Sequence, residues 1–214
     1  MRLVWGPPPE DVGFTPEADG WQPLREPTPL FVSLVGSAFG LPLALLVGWA
    51  WRACLHGAAP SFHFQLPLTG TAARMALAIL PLVAFPVAFV LLIVVHELCH
   101  AVVYPRCGLT RDTQIGVWPA KLLCYACHTG AITRERMLLC FAMPFAVVTG
   151  LPLGVCALVG HAALPAMVGS TANALFSGGD LLGALLLWRQ VPRGALVRNK
   201  GWATWWRVPA PAAE

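Results

Sequence analysis

Long apolar runs separated by short polar segments make up most of this 214-residue chain. Four runs reach the length of about 20 residues that a helix needs to cross a bilayer. They are residues 29–51, 71–104, 136–159 and 165–188. The second run contains Pro81 and Pro86, so we expect it to be kinked or broken near its start. The pattern predicts an all-α membrane protein with about four transmembrane helices.

The segment between the second and third runs, residues 107–133, has a different pattern. Apolar and polar positions alternate there between breakers at Gly108, Pro119 and Gly130, which is typical of short strands. We expect a small β-hairpin-like loop at the membrane surface, and an exposed strand edge in it could bind a substrate segment by strand addition. An unstructured connector is the alternative interpretation.

The two ends of the chain differ from the apolar runs and from each other. Residues 1–29 contain seven of the 20 prolines and five of the ten acidic residues, without a helical period, which predicts an extended or disordered arm. Residues 191–214 combine Arg and Lys with three tryptophans, which suits a tail lying on an anionic membrane surface; a floppy tail is the alternative. We therefore divide the chain into an N-terminal arm (1–29), a transmembrane domain (30–190) and a C-terminal tail (191–214).

Composition and charge agree with a membrane protein. Charged residues make up 11% of the chain and hydrophobic residues 57%, against about 25% charged residues in an ordinary soluble domain. Lys and Arg cluster in residues 105–136 and after Trp188, whereas residues 53–70 contain none. The positive-inside rule then predicts a multi-pass protein of the inner (plasma) membrane with both termini in the cytoplasm. The net charge of +4 reflects this bias, so we expect the bilayer, and no nucleic acid, as a partner.

The second apolar run carries the strongest chemical signal, the sequence His96-Glu97-Leu98-Cys99-His100. Two histidines four residues apart share one face of a helix, and a glutamate beside them can act as a general base in a zinc site. Ionisable side chains are costly in hydrocarbon, so their presence there indicates a functional site. We predict that His96 and His100 bind Zn²⁺ and that Glu97 is catalytic.

A catalytic zinc ion usually takes three protein ligands, and Asp180 is our candidate for the third. The run 165–188 contains no other acid and no Lys or Arg to pair with it. Asp180 lies eight residues before Trp188, and His96 lies eight residues before Tyr104, so both have a similar depth if the two helices exit on the same side. We expect the carboxylate to lie within about 3–4 Å of both histidine rings.

Polar and small residues precede Asp180. Asn173 and Ser177 lie seven and three residues before it, on the same face of a continuous helix. We predict that Asn173 is catalytic and hydrogen-bonds a substrate carbonyl or the developing oxyanion; helix–helix hydrogen bonding is the alternative. Gly178 and Gly179 would let another backbone approach closely, or would locally unwind the helix.

A second motif, Cys124-Tyr125-Ala126-Cys127-His128, fits the CxxCH pattern of c-type haem attachment. The charge rule places this segment in the cytoplasm, whereas haem is attached covalently on the outer side of the membrane. We therefore interpret the motif as ordinary strand residues or as a substrate contact.

On these residues the chain resembles a family of small bacterial membrane proteins classed as zincin peptidases, which share the HExxH helix and a later Gly-Asp pair, here Gly179-Asp180. It is also similar to a reduced form of site-2 proteases, which pair HExxH with a distant Asp in another transmembrane helix. The resemblance covers residues 70–190. The Asn-Pro-Asp-Gly and Leu-Asp-Gly motifs and the PDZ-like domain of site-2 proteases are absent, so the resemblance does not extend to substrate selection.

The sequence therefore predicts an intramembrane zinc metalloprotease that cleaves a transmembrane or membrane-associated protein near the cytoplasmic face. One alternative is a metal-binding membrane protein without peptidase activity, such as a sensor or a scaffold. A structural membrane protein, in which Asp180 has no chemical role, is the other.

Overall fold

The computed structural model describes residues 1–56, 58–61, 69–121 and 123–209. The helices in this part of the chain are α1 (Pro29–Cys54), α2 (Gly70–Val103), α3 (Arg134–Pro144), α4 (Leu151–Val159), α5 (Leu164–Phe176) and α6 (Gly178–Gln190). The strands are β1 (Arg2–Trp5), β2 (Gln22–Pro23), β3 (Thr113–Trp118), β4 (Leu123–His128), β5 (Ile132–Thr133), β6 (Leu196–Lys200) and β7 (Ala203–Arg207). A π-helical turn, Phe145–Gly150, joins α3 to α4. The fold is mostly helical with two small sheets, so the all-α prediction missed the strands outside the central loop.

Three helical stretches in the described residues are long and apolar enough to cross a membrane, namely Leu34–Cys54, Ala73–Val103 and Arg134–Val159. The third consists of α3, the π-helical turn and α4 in succession. The fourth expected span is not a continuous helix, because Ser177 divides it into α5 and α6, of 13 residues each. Gly178 and Gly179 follow this division, and glycine is a poor helix former.

Helix α2 presents the HExxH sequence near its C-terminal end. It is 34 residues long and continues through Pro81 and Pro86, so it is not broken near its start, and the alternative of a kink stays a prediction. Each proline removes one backbone hydrogen bond, and neighbouring turns keep the helix together. The helix ends at Val103, and the next residue, Tyr104, has the extended backbone (φ −66°, ψ 162°) that a following proline, here Pro105, favours.

The central loop forms the predicted hairpin. Strands β3 and β4 pair antiparallel, with Thr113 opposite His128 and Trp118 opposite Leu123. Strand β1 of the N-terminal arm adds to β3 in parallel, which gives the sheet order β1-β3-β4. The arm is therefore not disordered, because its first residues pair with a strand more than 100 residues away.

A second sheet, of order β2-β7-β6-β5, joins the arm to the tail. Phe14 and Trp21 of the arm are buried, and the guanidinium groups of Arg198 and Arg207 lie over their rings at 4.0 and 4.8 Å. The tail forms strands β6 and β7, so the alternative of a floppy tail is wrong for these residues, and its place on the membrane surface stays a prediction. Residues 210–214 of the tail, and residues 57 and 62–68 between the first two apolar runs, lie outside the described residues.

Glycines bring α1 against the junction between α5 and α6. A Cβ on Gly178 would overlap the carbonyl oxygen of Gly36, and a Cβ on Gly40 would overlap that of Leu175. Small residues four apart allow this kind of close backbone contact between helices. The close approach predicted at Gly178 is confirmed, whereas its partners in α1 were not predicted. This contact holds the start of α6, and with it Asp180, against α1.

Candidate metal centre

His96, His100 and Asp180 come together at the boundary between α2 and α6. The Nε2 atom of His96 lies 3.1 Å from Asp180 Oδ2, and the Nε2 atom of His100 lies 3.3 Å from Asp180 Oδ1. The potential ligand atoms of the three residues all lie within 4.8 Å of one another. A tetrahedral zinc site with bonds of about 2.1 Å has ligand atoms roughly 3.4 Å apart. The spacing expected from the sequence is therefore present.

The other ring nitrogen of each histidine has a buried hydrogen-bond partner. His100 Nδ1 lies 2.9 Å from the carbonyl oxygen of Cys140, and His96 Nδ1 lies 2.9 Å from Asn173 Oδ1. The Asn173 amide nitrogen donates to the carbonyl oxygen of Pro144 at 3.1 Å, which defines the amide orientation because a carbonyl only accepts. Both Nδ1 atoms therefore donate, so in the neutral form of each ring the Nε2 atom carries a lone pair that faces Asp180.

These lone pairs make the site suitable for a cation. In the described part of the chain, the buried Oδ2 atom of Asp180 has no hydrogen-bond donor in acceptable geometry, although His96 is close. Two imidazole lone pairs and a carboxylate oxygen that face one another are all acceptors, so without a positive charge between them they lack a favourable partner. They are also the ligand types of a catalytic zinc site. The residues present thus fit Zn²⁺, held by His96, His100 and Asp180.

Glu97 is buried beside this group. Its Oε2 atom has no hydrogen-bond partner among the described residues. Strand β4 packs against the same end of α2, where the Tyr104 hydroxyl donates to the carbonyl oxygen of Ala126 at 3.1 Å. Burial, and secondly the nearby Glu97 charge, raise the pKa of Cys127 to about 12. Glu97 thus lies close both to the two histidines and to Cys127 of strand β4.

Asn173 does not take the position predicted from the sequence. It lies on α5, not on the helix of Asp180, and it is fully buried. Its amide oxygen faces His96, its amide nitrogen donates to Pro144 O and to Thr149 Oγ1 at 3.0 Å, and Ser177 Oγ lies 3.4 Å from the same nitrogen. The amide therefore has no free group for a substrate carbonyl. The geometry favours the alternative, a helix–helix hydrogen bond, and this bond orients His96.

Three residues around the site were not predicted from the sequence, namely Cys140, Pro144 and Thr149. Cys140 and Pro144 contribute backbone carbonyl oxygens, which every residue type has, so no residue pattern reveals them. Thr149 contributes a hydroxyl in a run of apolar residues. A proline inside a predicted span was the one available signal for this region.

The CxxCH residues occupy β4 and do not form a second centre. Residues three apart in a strand point to opposite faces, so the Cys124 and Cys127 thiols cannot both bond to one haem. His128 stacks on Tyr104 with ring centroids 5.2 Å apart, and its Nδ1 atom lies 3.3 Å from Thr113 Oγ1. This arrangement supports the interpretation of the motif as strand residues.

The family model described as "Putative zincin peptidase" matches residues 89–196. This match includes the HExxH sequence and Asp180 and spans half of the chain. No curated protein and no solved structure matches the chain. The chain belongs to the putative zincin peptidase family.

Proposed function

We propose that this member of the zincin family is a zinc-dependent endopeptidase that hydrolyses a peptide bond of a transmembrane or membrane-associated protein. The observation that carries the proposal is the convergence of the His96 and His100 Nε2 atoms on the Asp180 carboxylate, at 3.1 and 3.3 Å. The nearby Glu97 Oε2 atom, which has no hydrogen-bond partner among the described residues, supplies the base that peptide hydrolysis requires.

Each residue of the site has a distinct part in the reaction. Zn²⁺ held by His96, His100 and Asp180 would polarise the scissile carbonyl group and lower the pKa of a water molecule. Glu97 accepts a proton from the attacking water through its free Oε2 atom and returns this proton to the leaving nitrogen. The Nδ1 hydrogen bonds of the two histidines keep their rings from rotating, so that both Nε2 atoms stay directed at the metal position.

We place the protein in the inner membrane, with the arm, the loop 105–135 and the tail in the cytoplasm. The side chains of Leu82 and Phe85 on α2 are 74% and 70% exposed, which suits contact with lipid. The arm, the loop and the tail join the ends of the helices on the side where α2 ends. All Lys and Arg residues except Arg52 and Arg74 lie in or next to these segments, as the positive-inside rule requires.

The edge of β4 offers a place for the substrate backbone. Among the described strands, in the order β1-β3-β4, this strand pairs on one side with β3 and ends the sheet on the other. It also packs against the part of α2 that carries Glu97, through the Tyr104–Ala126 hydrogen bond. An extended substrate segment added to this edge would bind through main-chain hydrogen bonds. A transmembrane substrate would therefore have to unwind before cleavage, which also exposes its peptide bonds.

Replacing Glu97 by Gln separates metal binding from catalysis. The amide keeps the shape of the side chain but cannot accept the proton, so we expect Glu97→Gln to retain about one zinc per chain and to lose cleavage activity by about 10²- to 10⁴-fold. Zinc is measured by mass spectrometry of the purified protein. Cleavage is measured on a mixture of detergent-solubilised single-span peptides, with products identified by peptide mass spectrometry.

Leu98→Met is the matched control, because Leu98 lies in the same helical turn and 44% of its surface is exposed. This variant should retain both zinc and activity. Wild-type protein that carries no zinc after purification from zinc-replete cells would refute the proposal. Full zinc occupancy with equal product formation by wild type and Glu97→Gln would favour the metal-binding alternative without peptidase activity.

A further inference from the structure

The two ligand histidines are oriented by the same short segment of the third span. His100 donates to the carbonyl oxygen of Cys140, and the Asn173 amide that orients His96 is itself bonded to the carbonyl oxygen of Pro144. Cys140 and Pro144 lie one helical turn apart at the end of α3, and the π-helical turn Phe145–Gly150 begins directly after them.

Pro144 explains why the Cys140 carbonyl can accept from a histidine. In an α-helix this oxygen would accept from the backbone N–H four residues later, which is the position of Pro144, and proline has no N–H. The next N–H, that of Phe145, bonds instead to the carbonyl oxygen of Ala142. The missing donor thus leaves the Cys140 oxygen for His100 Nδ1, which is 2.9 Å away.

The π-helical turn orients the second histidine through Asn173. Within this turn, the Thr149 hydroxyl donates to the carbonyl oxygen of Ser170 at 2.8 Å and accepts from the Asn173 amide at 3.0 Å. Thr149, Ser170 and Asn173 are all buried. With both amide hydrogens engaged by Pro144 O and Thr149 Oγ1, the amide oxygen is directed at His96 Nδ1.

We propose that Pro144 and Thr149 are positioning residues of the metal centre, which set the tautomer and ring orientation of His100 and His96 respectively. The inference rests on the proposed function, since it assumes that the two Nε2 atoms bind zinc. Hydrogen bonds to the second nitrogen of a ligand histidine typically change metal affinity by about 10- to 100-fold. Neither residue contacts the substrate in this proposal.

The test measures the zinc dissociation constant by competition with a chelator in detergent-solubilised full-length protein. Pro144→Ala restores an N–H that competes for the Cys140 carbonyl, so we expect zinc affinity to fall about 10- to 100-fold. Pro152→Ala is the matched control, because Pro152 lies in the same span. The N–H that proline lacks at this position would bond to a carbonyl oxygen in the preceding turn, and neither His96 nor His100 bonds to that oxygen. Equal affinities of the two proline variants would overturn the role of Pro144.

A second pair of variants tests Thr149 without a change in the backbone. Thr149→Val removes the hydroxyl at nearly constant volume and should weaken zinc binding. Thr149→Ser keeps the hydroxyl and should bind zinc as tightly as the wild type. The absorption spectrum of the Co²⁺-substituted protein should change in the Val variant alone. Equal weakening in Val and Ser would overturn the role of the Thr149 hydroxyl. Wild type that binds no zinc would instead refute the proposed function, so the two failures are distinguishable.

Discussion

A methyl group added at Gly178 would separate α1 from α6. The Cβ of an alanine there would overlap the carbonyl oxygen of Gly36, and it would lie 2.6 Å from the backbone nitrogen and 2.8 Å from the Cα atom of Gly40. Non-bonded carbon atoms are most stable at about 3.5–4.0 Å, so relief of the last contact alone requires a shift of roughly 1 Å. All three contacts involve backbone atoms, and no change of side-chain rotamer can relieve them.

A shift of this size matters because Asp180 follows Gly178 by two residues in the first turn of α6. Its oxygens lie 3.1 and 3.3 Å from the two histidines, and metal–ligand distances tolerate deviations of only about 0.2 Å. We expect Gly178→Ala to lower the free energy of unfolding by about 1–3 kcal/mol and to weaken zinc binding. The measurements are a denaturant titration in detergent micelles and the zinc content of the purified protein.

Gly179→Ala is the matched control for this prediction. A Cβ on Gly179 meets no heavy atom within 4 Å, and alanine stabilises a helix by about 0.5–1 kcal/mol relative to glycine. This variant should therefore keep its zinc and be at least as stable as the wild type. If Gly178→Ala behaved like Gly179→Ala in both measurements, the steric argument would be refuted.

Two further predictions concern groups outside the helices. Burial raises the pKa of the Glu26 side chain, although this side chain accepts a hydrogen bond from the N–H of Thr204 and contacts the Thr204 hydroxyl. The raised pKa means that the folded protein favours protonated Glu26. The contribution of this protonation to the free energy of unfolding is therefore complete below the ordinary pKa and is lost as pH rises through the folded-state pKa. As pH rises above the ordinary pKa of a glutamate, about 4.3, the wild type should lose more unfolding free energy than Glu26→Gln, and parallel stability curves would contradict this. Because burial raises the pKa of Cys127 to about 12, a maleimide at near-neutral pH should label the exposed Cys107 and leave Cys127 unmodified. Peptide mass spectrometry reads the labelling, and equal rates at both thiols would refute the prediction.

The sequence was sufficient to identify the histidines and the glutamate of the site. A helix repeats every 3.6 residues, so the four-residue spacing of His96 and His100 determines that they share a face before any tertiary contact is known. Asp180 could be paired with them because ionisable residues are so rare in the apolar runs. The alternating pattern and the breakers around β3 and β4 were similarly local, and they predicted the hairpin.

Tertiary structure alone decided how the site is supported. The role of Asn173 depends on which groups surround its amide after α5 packs, and the donor for the Cys140 carbonyl comes from another helix. The pairing of β1 with β3 joins residues more than 100 positions apart. The sequence predicted the two histidines of the candidate metal centre because helical periodicity is a local property of the chain. It could not determine which groups hydrogen-bond to these residues, because backbone carbonyls are common to all residues and long-range pairing leaves no local pattern.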